Sequence, residues 1–551
     1  MKKNLTIATL ILTLGSLTLM SSINYFEVSK NMEIFSTLYK ELNTYYVDDI
    51  DPNDLMREGI DAMLSSLDPY TNFYSESEIE GYRMQTTGKY GGIGATIQRM
   101  DDRIIVAEPM ENYPADKAGM KAGDIIIEVE GKVTDGMTQA EVSKLLKGQP
   151  NTKVKVTVER MQKDGSYNVM DIMIDREEIK IKNVPYYSKV DNDIAYIKLA
   201  HFTEKAGKEV QDALKELQAD NTSIKGVVLD LRDNPGGLLN EAVNVSNIFV
   251  EKGEEIVFTK GRIEEWNKKF RTLNNPVDTE IPVVVLTNGG SASASEIVSG
   301  SLQDLDRGVV LGQKTFGKGL VQTTRSLTYN TKLKLTTAKY YIPSGRCIQA
   351  IDYADKDGNG KPIKRADSLK AVFQTKGGRA VFDGGGIDPD IIIKNKKYSK
   401  ISVSLLSKNL IFDYATKFAV HTESIPAVEE FEISDEVFND FVQFISDKPY
   451  DYVTNTEALL KDFKKEAQKE KYFEAVNSEF ELLENKMKRD KENDIQKHKE
   501  EIKQLLREEI ANRYYYTKGE IKASFKRDQE LQQAITLLRD ETRYTSLLRN
   551  E

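Results

Sequence analysis

The chain has 551 residues and a formal net charge of −10, and its acidic balance argues against nucleic acid as the main partner, because phosphate binding needs a basic surface. The length is enough for about three or four domains, and the 39% hydrophobic content excludes a chain that is disordered throughout. One cysteine and three dispersed histidines exclude a disulfide framework and a Cys-rich or HExxH-type metal site.

The N-terminus combines a basic start, Lys2-Lys3, with a mostly apolar run from Leu5 to Met20. This pattern predicts a secretory signal peptide or an N-terminal membrane anchor within residues 1–26. The small residues of a cleavage site are poorly placed, and no cysteine follows the run for lipidation. A buried core helix is the alternative interpretation. We expect an exported protein, either released or held by this anchor.

Residues 27–81 are predicted to form a small helical domain. Apolar residues recur there at helical spacing, at Met32, Phe35, Leu38 and Leu42. A second helix is predicted from Asp54 to Leu67, and Asp68-Pro69 ends it.

Residues 82–176 are predicted to form a β-rich domain. The strands expected from alternating apolar residues are Gly94–Arg99, Ile104–Glu108, Asp124–Val129 and Lys153–Arg160. A capping box from Thr138 to Glu141 opens a helix between the last two strands, with Val142 and Leu146 on one face. A glycine-rich turn, from Tyr90 to Ala95, precedes the first strand.

Residues 177–400 are predicted to form an α/β layered core. Buried strands at Ile194–Leu199, Val227–Leu231 and Ile281–Thr287 alternate with amphipathic helices. A hairpin over about Leu320–Tyr341 is expected to continue the same sheet.

Residues 401–551 are predicted to be a charged helical extension. The segment is rich in Lys and Glu, and its apolar stripe is interrupted, at Phe480, Leu483, Met487, Ile495, Ile502 and Leu506. We expect a solvated helical appendage rather than a coiled coil.

Three turns that follow buried strands carry residues suited to chemistry. The first has paired glycines, whose amides, Gly237 among them, are free to face a negative oxygen. The second places Ser293 and the Ala294 amide at a helix start, where any of its three serines would also serve as a plain N-cap. The third holds Lys318 between glycines, and a dry cleft would leave its amine neutral. In a strand Gln322 would share its face and orient the amine.

Together these turns resemble one family. In this order, DLRDNPGG, SASASE and GQKTFGKGLVQ resemble the carboxy-terminal processing, or tail-specific, family of serine peptidases. The resemblance implies that Ser293 is the nucleophile, Lys318 its base and Gln322 the group that orients the lysine. It also implies that the amides of Gly237 and Ala294 are the oxyanion donors.

The resemblance extends to that family's PDZ domain through the turn YGGIGA and the run Pro114–Glu130. A backbone nest of this kind can hold a terminal carboxylate while the peptide adds as a strand beside Gly94–Arg99. The residues predicted to bind the peptide are Gly92, Ile93, Gly94, Ala95, Val142 and Leu146. The last two would line the pocket for the final side chain, which predicts an apolar C-terminal residue.

The predicted fold is a multidomain α/β protein. It comprises an N-terminal helical segment, a PDZ-like β-rich domain, an α/β layered catalytic core and a helical C-terminal extension. The family resemblance implies a crotonase/Clp-protease-like core.

The leading hypothesis is an exported serine endopeptidase with a Ser–Lys dyad that cleaves proteins near their C-termini. The expected partners are proteins or peptides with free, apolar C-termini, and an adaptor or a second copy at the C-terminal helical region. The expected location is the periplasm, beyond a bacterial inner membrane, and neither a metal nor another cofactor is expected. Two alternatives are a non-catalytic peptide-binding scaffold and a Ser–His hydrolase that uses His201.

Overall fold

The computed structural model describes residues 25–219, 223–358, 360–364, 370–394 and 397–549. The apolar run of the predicted export segment lies outside these residues. Among the described helices, none is long and apolar enough to cross a membrane.

The N-terminal region begins with two helices, α1 (Tyr25–Tyr45) and α2 (Pro52–Ser65). Asp51 caps α2 by accepting hydrogen bonds from the amides of Asn53 and Asp54. Neither helix contains a buried residue, so the two have no core of their own, unlike the predicted helical domain. The chain then forms a short strand, β1 (Asn72–Tyr74), which joins a sheet of the α/β core.

A β-rich domain follows, as predicted. Its elements are α3 (Ile79–Thr87), β2 (Lys89–Gly92), β3 (Ala95–Met100), β4 (Arg103–Pro109), α4 (Pro114–Lys117), β5 (Ile125–Val129), β6 (Lys132–Val133), α5 (Gln139–Leu146), β7 (Lys153–Met161), β8 (Tyr167–Asp175) and β9 (Glu177–Lys180). A 3₁₀ turn, Glu76–Glu78, precedes α3. The main sheet has the order β3-β4-β5-β7-β8, and β6 pairs with β5.

The four predicted strands of this domain are present, and the pattern missed β2, β6, β8 and β9. Most residues of β8 are exposed, so it lacks a continuous apolar alternation. The separate pair β2–β9 joins Gly92 to Glu177 and therefore crosses the predicted boundary at residue 176.

The α/β core contains two large sheets and two small two-stranded ones. Its elements are β10 (Tyr186–Val190), β11 (Ile194–Lys198), α6 (Ala206–Ala219), β12 (Gly226–Asp230), α7 (Leu239–Ser246), β13 (Glu255–Gly261), β14 (Lys269–Arg271), β15 (Val283–Thr287), α8 (Ala294–Asp304), β16 (Val309–Gly312), β17 (Leu320–Ser326), β18 (Lys332–Tyr341), β19 (Ile351–Lys356), β20 (Pro362–Lys364), β21 (Val372–Gln374), β22 (Ala380–Phe382) and β23 (Ile391–Ile392). The first sheet has the order β10-β11-β12-β15-β16-β23 and is parallel from β11 onward.

The hairpin β17–β18 does not continue this parallel sheet, contrary to the prediction. It belongs to a second sheet, in which β18 pairs with β1, β13 and β17. Local alternation identifies a hairpin, but it carries no information about which distant strand becomes the neighbour.

The C-terminal region is helical, with elements α9 (Lys400–Ser407), α10 (Leu410–His421), α11 (Asp435–Ile445), α12 (Asn455–Lys469), α13 (Phe473–Glu492), α14 (Asp494–Lys497), α15 (Lys499–Ser524), α16 (Gln529–Arg539) and α17 (Glu541–Arg549). It has its own apolar core, which includes Phe438, Phe441 and Ile502. Helix α15 breaks at Tyr516, where φ is 57°. Beside this break the Thr517 amide donates a 2.8 Å hydrogen bond to Glu108 of the β-rich domain.

The prediction of a solvated appendage is wrong for α16 and α17, because both helices pack on the α/β core. Leu531, Ile535 and Leu538 of α16 pack on one face of the parallel sheet, against residues such as Val228 and Val284. These apolar positions follow helical spacing, but the surrounding charge hid them from a reading of composition.

Polar contacts fix the same helix to the turn after β12. The Arg232 guanidinium lies 2.6 Å from the carboxylates of both Asp528 and Glu530, and 2.7 Å from that of Asp230. Ion pairs therefore connect the glycine turn of the predicted site to helix α16, which packs on one face of the parallel sheet.

Candidate active site

Ser293 stands at the start of α8, directly after the loop that leaves β15. The neighbouring serines are buried, and their hydroxyls donate 2.8 Å hydrogen bonds to backbone oxygens, Ser291 to Leu231 and Ser295 to Asn234. Ser293 is partly exposed, and its side chain faces the Glu296 amide in a capping box. Its hydroxyl donates no hydrogen bond to any described residue. Of the three serines it is the one available as a nucleophile.

The backbone at Ser293 is strained, with φ of 55° and ψ of −110°. Gly236 packs closely against it, because a Cβ on Gly236 would lie 2.9 Å from the Ser293 Cβ and 2.8 Å from the Ala294 nitrogen. The φ of Gly236 is +95°, which also favours glycine. The glycine turn and the serine turn therefore meet at van der Waals distance.

The predicted oxyanion donors lie at this contact. In the described residues, the amides of Gly237 and Ala294 donate no hydrogen bond to another protein group. Ala294 is the first residue of α8, so its amide also lies at the positive end of the helix dipole. Two unoccupied donors beside a free hydroxyl are the arrangement that acyl transfer requires.

Lys318 lies just before β17, and its side chain is half-buried. Its Nζ is 4.2 Å from the centroid of the Tyr70 ring. Burial lowers the pKa of Lys318 to about 8, and the positive charge of Lys334 acts in the same direction. No hydrogen bond between Ser293 Oγ and Lys318 Nζ is present among the described contacts. An amine with a pKa of about 8 is neutral in roughly one molecule in ten at pH 7, far more often than a lysine with the ordinary pKa.

Glu296 links the nucleophile to the lysine, and the sequence analysis gave it no role. Its buried carboxylate accepts hydrogen bonds from the amides of Ser293 (2.8 Å), Gly317 (2.7 Å) and Lys318 (2.9 Å), and from the Thr315 hydroxyl (2.6 Å). Burial raises the pKa of Glu296 to about 7, and these four donors oppose that change. Glu296 follows Ser293 by three residues, so a capping-box pattern pointed to it.

Tyr340 makes a second link between the two segments. Its hydroxyl lies 2.6 Å from the backbone oxygen of Lys318 and 3.1 Å from that of Ser293. Tyr340 is 1% exposed and lies on β18. No local motif distinguishes it from an ordinary core tyrosine.

Gln322 stays a prediction as the group that orients Lys318. A bulge between Val321 and Gln322 breaks the strict alternation that would place Gln322 on the same face as Lys318. Its amide donates a 3.2 Å hydrogen bond to the Thr336 hydroxyl.

His201, the base of the alternative hydrolase, forms no hydrogen bond to Ser293 among the described residues. Burial lowers its pKa. It precedes Phe202, whose carbonyl accepts a hydrogen bond from Leu238, so it lies near the glycine turn without taking part in the Glu296 network.

In the β-rich domain the carbonyl groups of the turn before β3 are paired within the domain. The Ile93 oxygen accepts from the Ala115 amide at 2.8 Å, and the Gly94 oxygen accepts from the Met110 amide at 2.9 Å. The amide of each peptide plane points opposite to its oxygen, so the Gly94 and Ala95 amides point away from these partners. The role of Gly92–Ala95 in binding a carboxylate stays a prediction.

Val142 and Leu146, predicted to line the pocket for the last side chain, are 0% and 4% exposed, and their contact with a peptide stays a prediction. They pack with Ile93 and Ile97 in the core of this domain. The sequence identifies the apolar face of α5, but not whether that face is filled by the domain itself.

Three family descriptions match the chain. "Peptidase family S41" matches residues 193–355, "PDZ domain" matches residues 105–160, and "Probable PDZ-protease, C-terminal helical domain" matches residues 401–538. A carboxy-terminal-processing protease of Bartonella bacilliformis is 41% identical over 324 residues, which are 58% of this chain and 73% of that protein. A probable CtpA-like serine protease of Staphylococcus aureus strain COL is 36% identical over 388 residues, 68% of this chain and 72% of that protein.

Two solved structures of C-terminal processing proteases are also similar to this chain. The photosystem II D1 C-terminal processing protease is 27% identical with a TM-score of 0.36, covering 65% of this chain and 86% of that one. The PDZ domain of a Vibrio cholerae carboxy-terminal protease, solved with a peptide, is 32% identical with a TM-score of 0.15, covering 17% of this chain and 99% of that one.

An α/β core with a serine at a helix start and a PDZ domain before it defines the class, a PDZ-containing serine peptidase. The chain belongs to the carboxy-terminal-processing proteases of peptidase family S41. The prediction of a serine-type hydrolase is confirmed, and so is the multidomain fold.

Proposed function

We propose that this protease works with a Ser293–Lys318 dyad and cleaves exported proteins near C-termini that its PDZ domain selects. The observation that carries the proposal is the partly buried Lys318 amine, whose pKa is about 8. Glu296 connects its segment to Ser293 by accepting hydrogen bonds from the amides of both residues. A serine needs such a base to lose its proton during attack.

The chemistry proceeds in two transfers. Neutral Lys318 takes the Ser293 hydroxyl proton as Oγ bonds to the scissile carbonyl carbon, and the amides of Gly237 and Ala294 hold the oxyanion. The C–N bond then breaks, and the leaving amine takes the proton from the Lys318 ammonium, which leaves an acyl ester on Ser293. Water gives a proton to Lys318 and attacks the ester. That proton returns to Oγ as the acid product leaves.

We expect kcat/KM to rise with pH through about 8 and then level, because Lys318 must be neutral to act and its pKa is about 8. Protonation of Glu296 as the pH falls through about 7 would remove acceptors from the Ser293 and Lys318 amides and steepen the acid side. The measurement is the pH profile on an internally quenched peptide.

His201→Ala is the matched variant for this profile. A histidine base would give a limb below pH ~6.5, since burial lowers the pKa of His201, and the limb would vanish in the variant. An unchanged limb near pH 8 in His201→Ala supports the lysine. If His201→Ala lost cleavage while Lys318→Ala stayed fully active, His201 would replace Lys318 as the proposed base.

Peptide selection by the PDZ domain is proposed to depend on a free carboxylate at the amides of Gly92–Ala95. Charge-assisted hydrogen bonds contribute about 1.5–3 kcal/mol each, so amidation of the terminus should weaken binding at least about tenfold. We would compare the free-acid and amidated forms of one peptide with an apolar final residue, using the full chain with Ser293→Ala so that neither is cleaved. Equal affinities would remove tail recognition from the mechanism.

The same binding test examines the proposed preference for an apolar terminus. Ile93, in the turn proposed to hold the carboxylate, packs with Val142, so a last side chain that lies against this turn would meet apolar neighbours. A final Asp should weaken binding, because a buried charge would have no partner. Equal binding of apolar and Asp termini would contradict the preference.

Export is proposed from the basic start and apolar run of residues 2–20. An alkaline phosphatase fusion after residue 45 should be active only if the segment directs translocation. An inactive fusion of normal abundance would contradict export.

An adaptor or second copy is proposed to contact the C-terminal helical region at the hairpin α12–α13. Leu459 and Leu482 on these helices are 70% and 71% exposed. Light scattering of the protein and of Leu482→Ser, alone and with partners captured from the same compartment, tests the contact. No change in mass or capture would count against it.

A further inference from the structure

The segment from Asp68 to Tyr74 joins the N-terminal helices to the β-rich domain and passes over the catalytic lysine. Its strand β1 pairs antiparallel with β18, so that Asn72 lies opposite Lys334 and Tyr74 opposite Lys332. This pairing brings the Tyr70 ring to 4.2 Å from Lys318 Nζ. A residue far from the peptidase domain in sequence thus covers the amine.

The conformation of Tyr70 is fixed on both sides. The Asp68 carboxylate accepts 2.8 Å hydrogen bonds from the amides of Tyr70 and Thr71, which closes a turn. The Tyr353 ring meets the Tyr70 ring edge-on, with centroids 6.0 Å apart and planes at 89°. Thr71 is 3% exposed, and its hydroxyl lies 3.4 Å from that of Thr336, the partner of Gln322.

We propose that Tyr70 is a positioning residue for the general base: its ring holds Lys318 Nζ in place and keeps water from it. The inference rests on the proposed function, in which Lys318 accepts the Ser293 proton. It assigns a role in catalysis to the segment before the PDZ domain.

The ring acts on the amine in two opposite ways. Excluding water disfavours the ammonium form and lowers the pKa of Lys318, whereas the negative face of the ring attracts an ammonium and raises it. The charges that also face Lys318 are Lys334 on β18, which lowers its pKa, and Asp68 and Glu296, which raise it. Tyr70→Leu removes the attraction and keeps the exclusion of water, whereas Tyr70→Ser removes both effects. In Tyr70→Ser the admitted water should outweigh the lost attraction, because burial is the largest cause of the lowered pKa of Lys318.

Tyr70→Leu keeps an apolar cover and removes the ring face, so the acid limb of kcat/KM should move to lower pH. Tyr70→Ser admits water, so the limb should move to higher pH, and a limb that lies higher by about one pH unit lowers the rate at pH 7 about tenfold. A purely structural role would reduce activity in both variants without moving the limbs in opposite directions.

The control is Tyr74→Leu, the same change in the same segment. The Tyr74 ring packs at 5.2 Å on Tyr82 and is not the ring that meets Lys318. The acid limb of kcat/KM for Tyr74→Leu should lie at the same pH as that of the unaltered protein. A displacement equal to that of Tyr70→Leu would assign the effect to the strand as a whole and overturn the proposal.

A second readout does not depend on cleavage. Competitive acetylation across pH, followed by mass spectrometry of the Lys318 peptide, gives the pH midpoint at which this amine becomes reactive. Midpoints that move in opposite directions in the two Tyr70 variants support the inference, and unchanged midpoints overturn it. If Lys318→Ala cleaves like the unaltered protein, the proposed base itself fails, and the catalytic role of Tyr70 fails with it even where the midpoints move.

Discussion

Ser293→Ala and Lys318→Ala are each expected to lose cleavage by a factor on the order of 10⁴ or more, since residues that act as a unit fail together. The hydroxyl and the amine serve the same proton transfer, so neither substitution leaves a partial pathway. Lys318→Arg should be equally inactive, because a guanidinium stays protonated and cannot accept the proton. The measurement is kcat/KM on an internally quenched peptide under single-turnover conditions.

Lys339→Arg is the control for the lysine substitutions, because Lys339 is an exposed residue of β18. It should cleave like the unaltered protein. Fluorophosphonate labelling adds a test of the nucleophile, since Ser293→Ala should no longer be labelled. Turnover retained in Lys318→Arg would count decisively against a lysine base.

Glu296→Gln is expected to lower kcat/KM by at least about a hundredfold, because a misplacement of about 1 Å between reacting groups has that effect. The carboxylate accepts four hydrogen bonds, two of them from the amides of Ser293 and Lys318. A glutamine amide has one acceptor oxygen, and its NH₂ group would face two of these donors. Both reacting residues should then leave their present positions.

The matched control is Glu241→Gln on α7. Glu241 also accepts a backbone hydrogen bond, from the Gly207 amide at 2.7 Å, but lies outside the Glu296 network. Thermal unfolding of both variants separates a misaligned site from an unfolded one. A folded Glu296→Gln protein with full activity would show that the network does not align the dyad.

Short motifs are enough to predict the candidate reacting groups, because each lies in a turn whose chemistry is local. Ser293, Ala294 and Gly237 belong to two such turns, and Lys318 is marked by its flanking glycines. Tyr70 could not be found in this way, since its proximity to Lys318 depends on the pairing of β1 with β18. The pairing of distant strands is decided by tertiary packing.

Two apolar faces were predicted from the sequence, but not the way in which they pack. The helix that carries Val142 and Leu146 was identified correctly from its capping box, but both side chains fill the core of their own domain. The charged composition of the C-terminal region concealed Leu531 and Ile535, which lie against the parallel sheet. In each case periodicity showed that a face was apolar without showing what covers it.

The cover supplied by α16 has a consequence for biosynthesis. The strands of the parallel sheet up to β16 leave the ribosome long before residues 529–549, by on the order of tens of seconds at ~5–20 residues per second. During that interval Val228, Val284 and Leu286 lack the side chains that bury them. Arg232, beside the glycine turn, likewise lacks its ion pairs with Asp528 and Glu530 during this interval. The nascent chain is therefore an incompletely folded protease, and we expect hydrolytic activity only after these helices have been translated and docked.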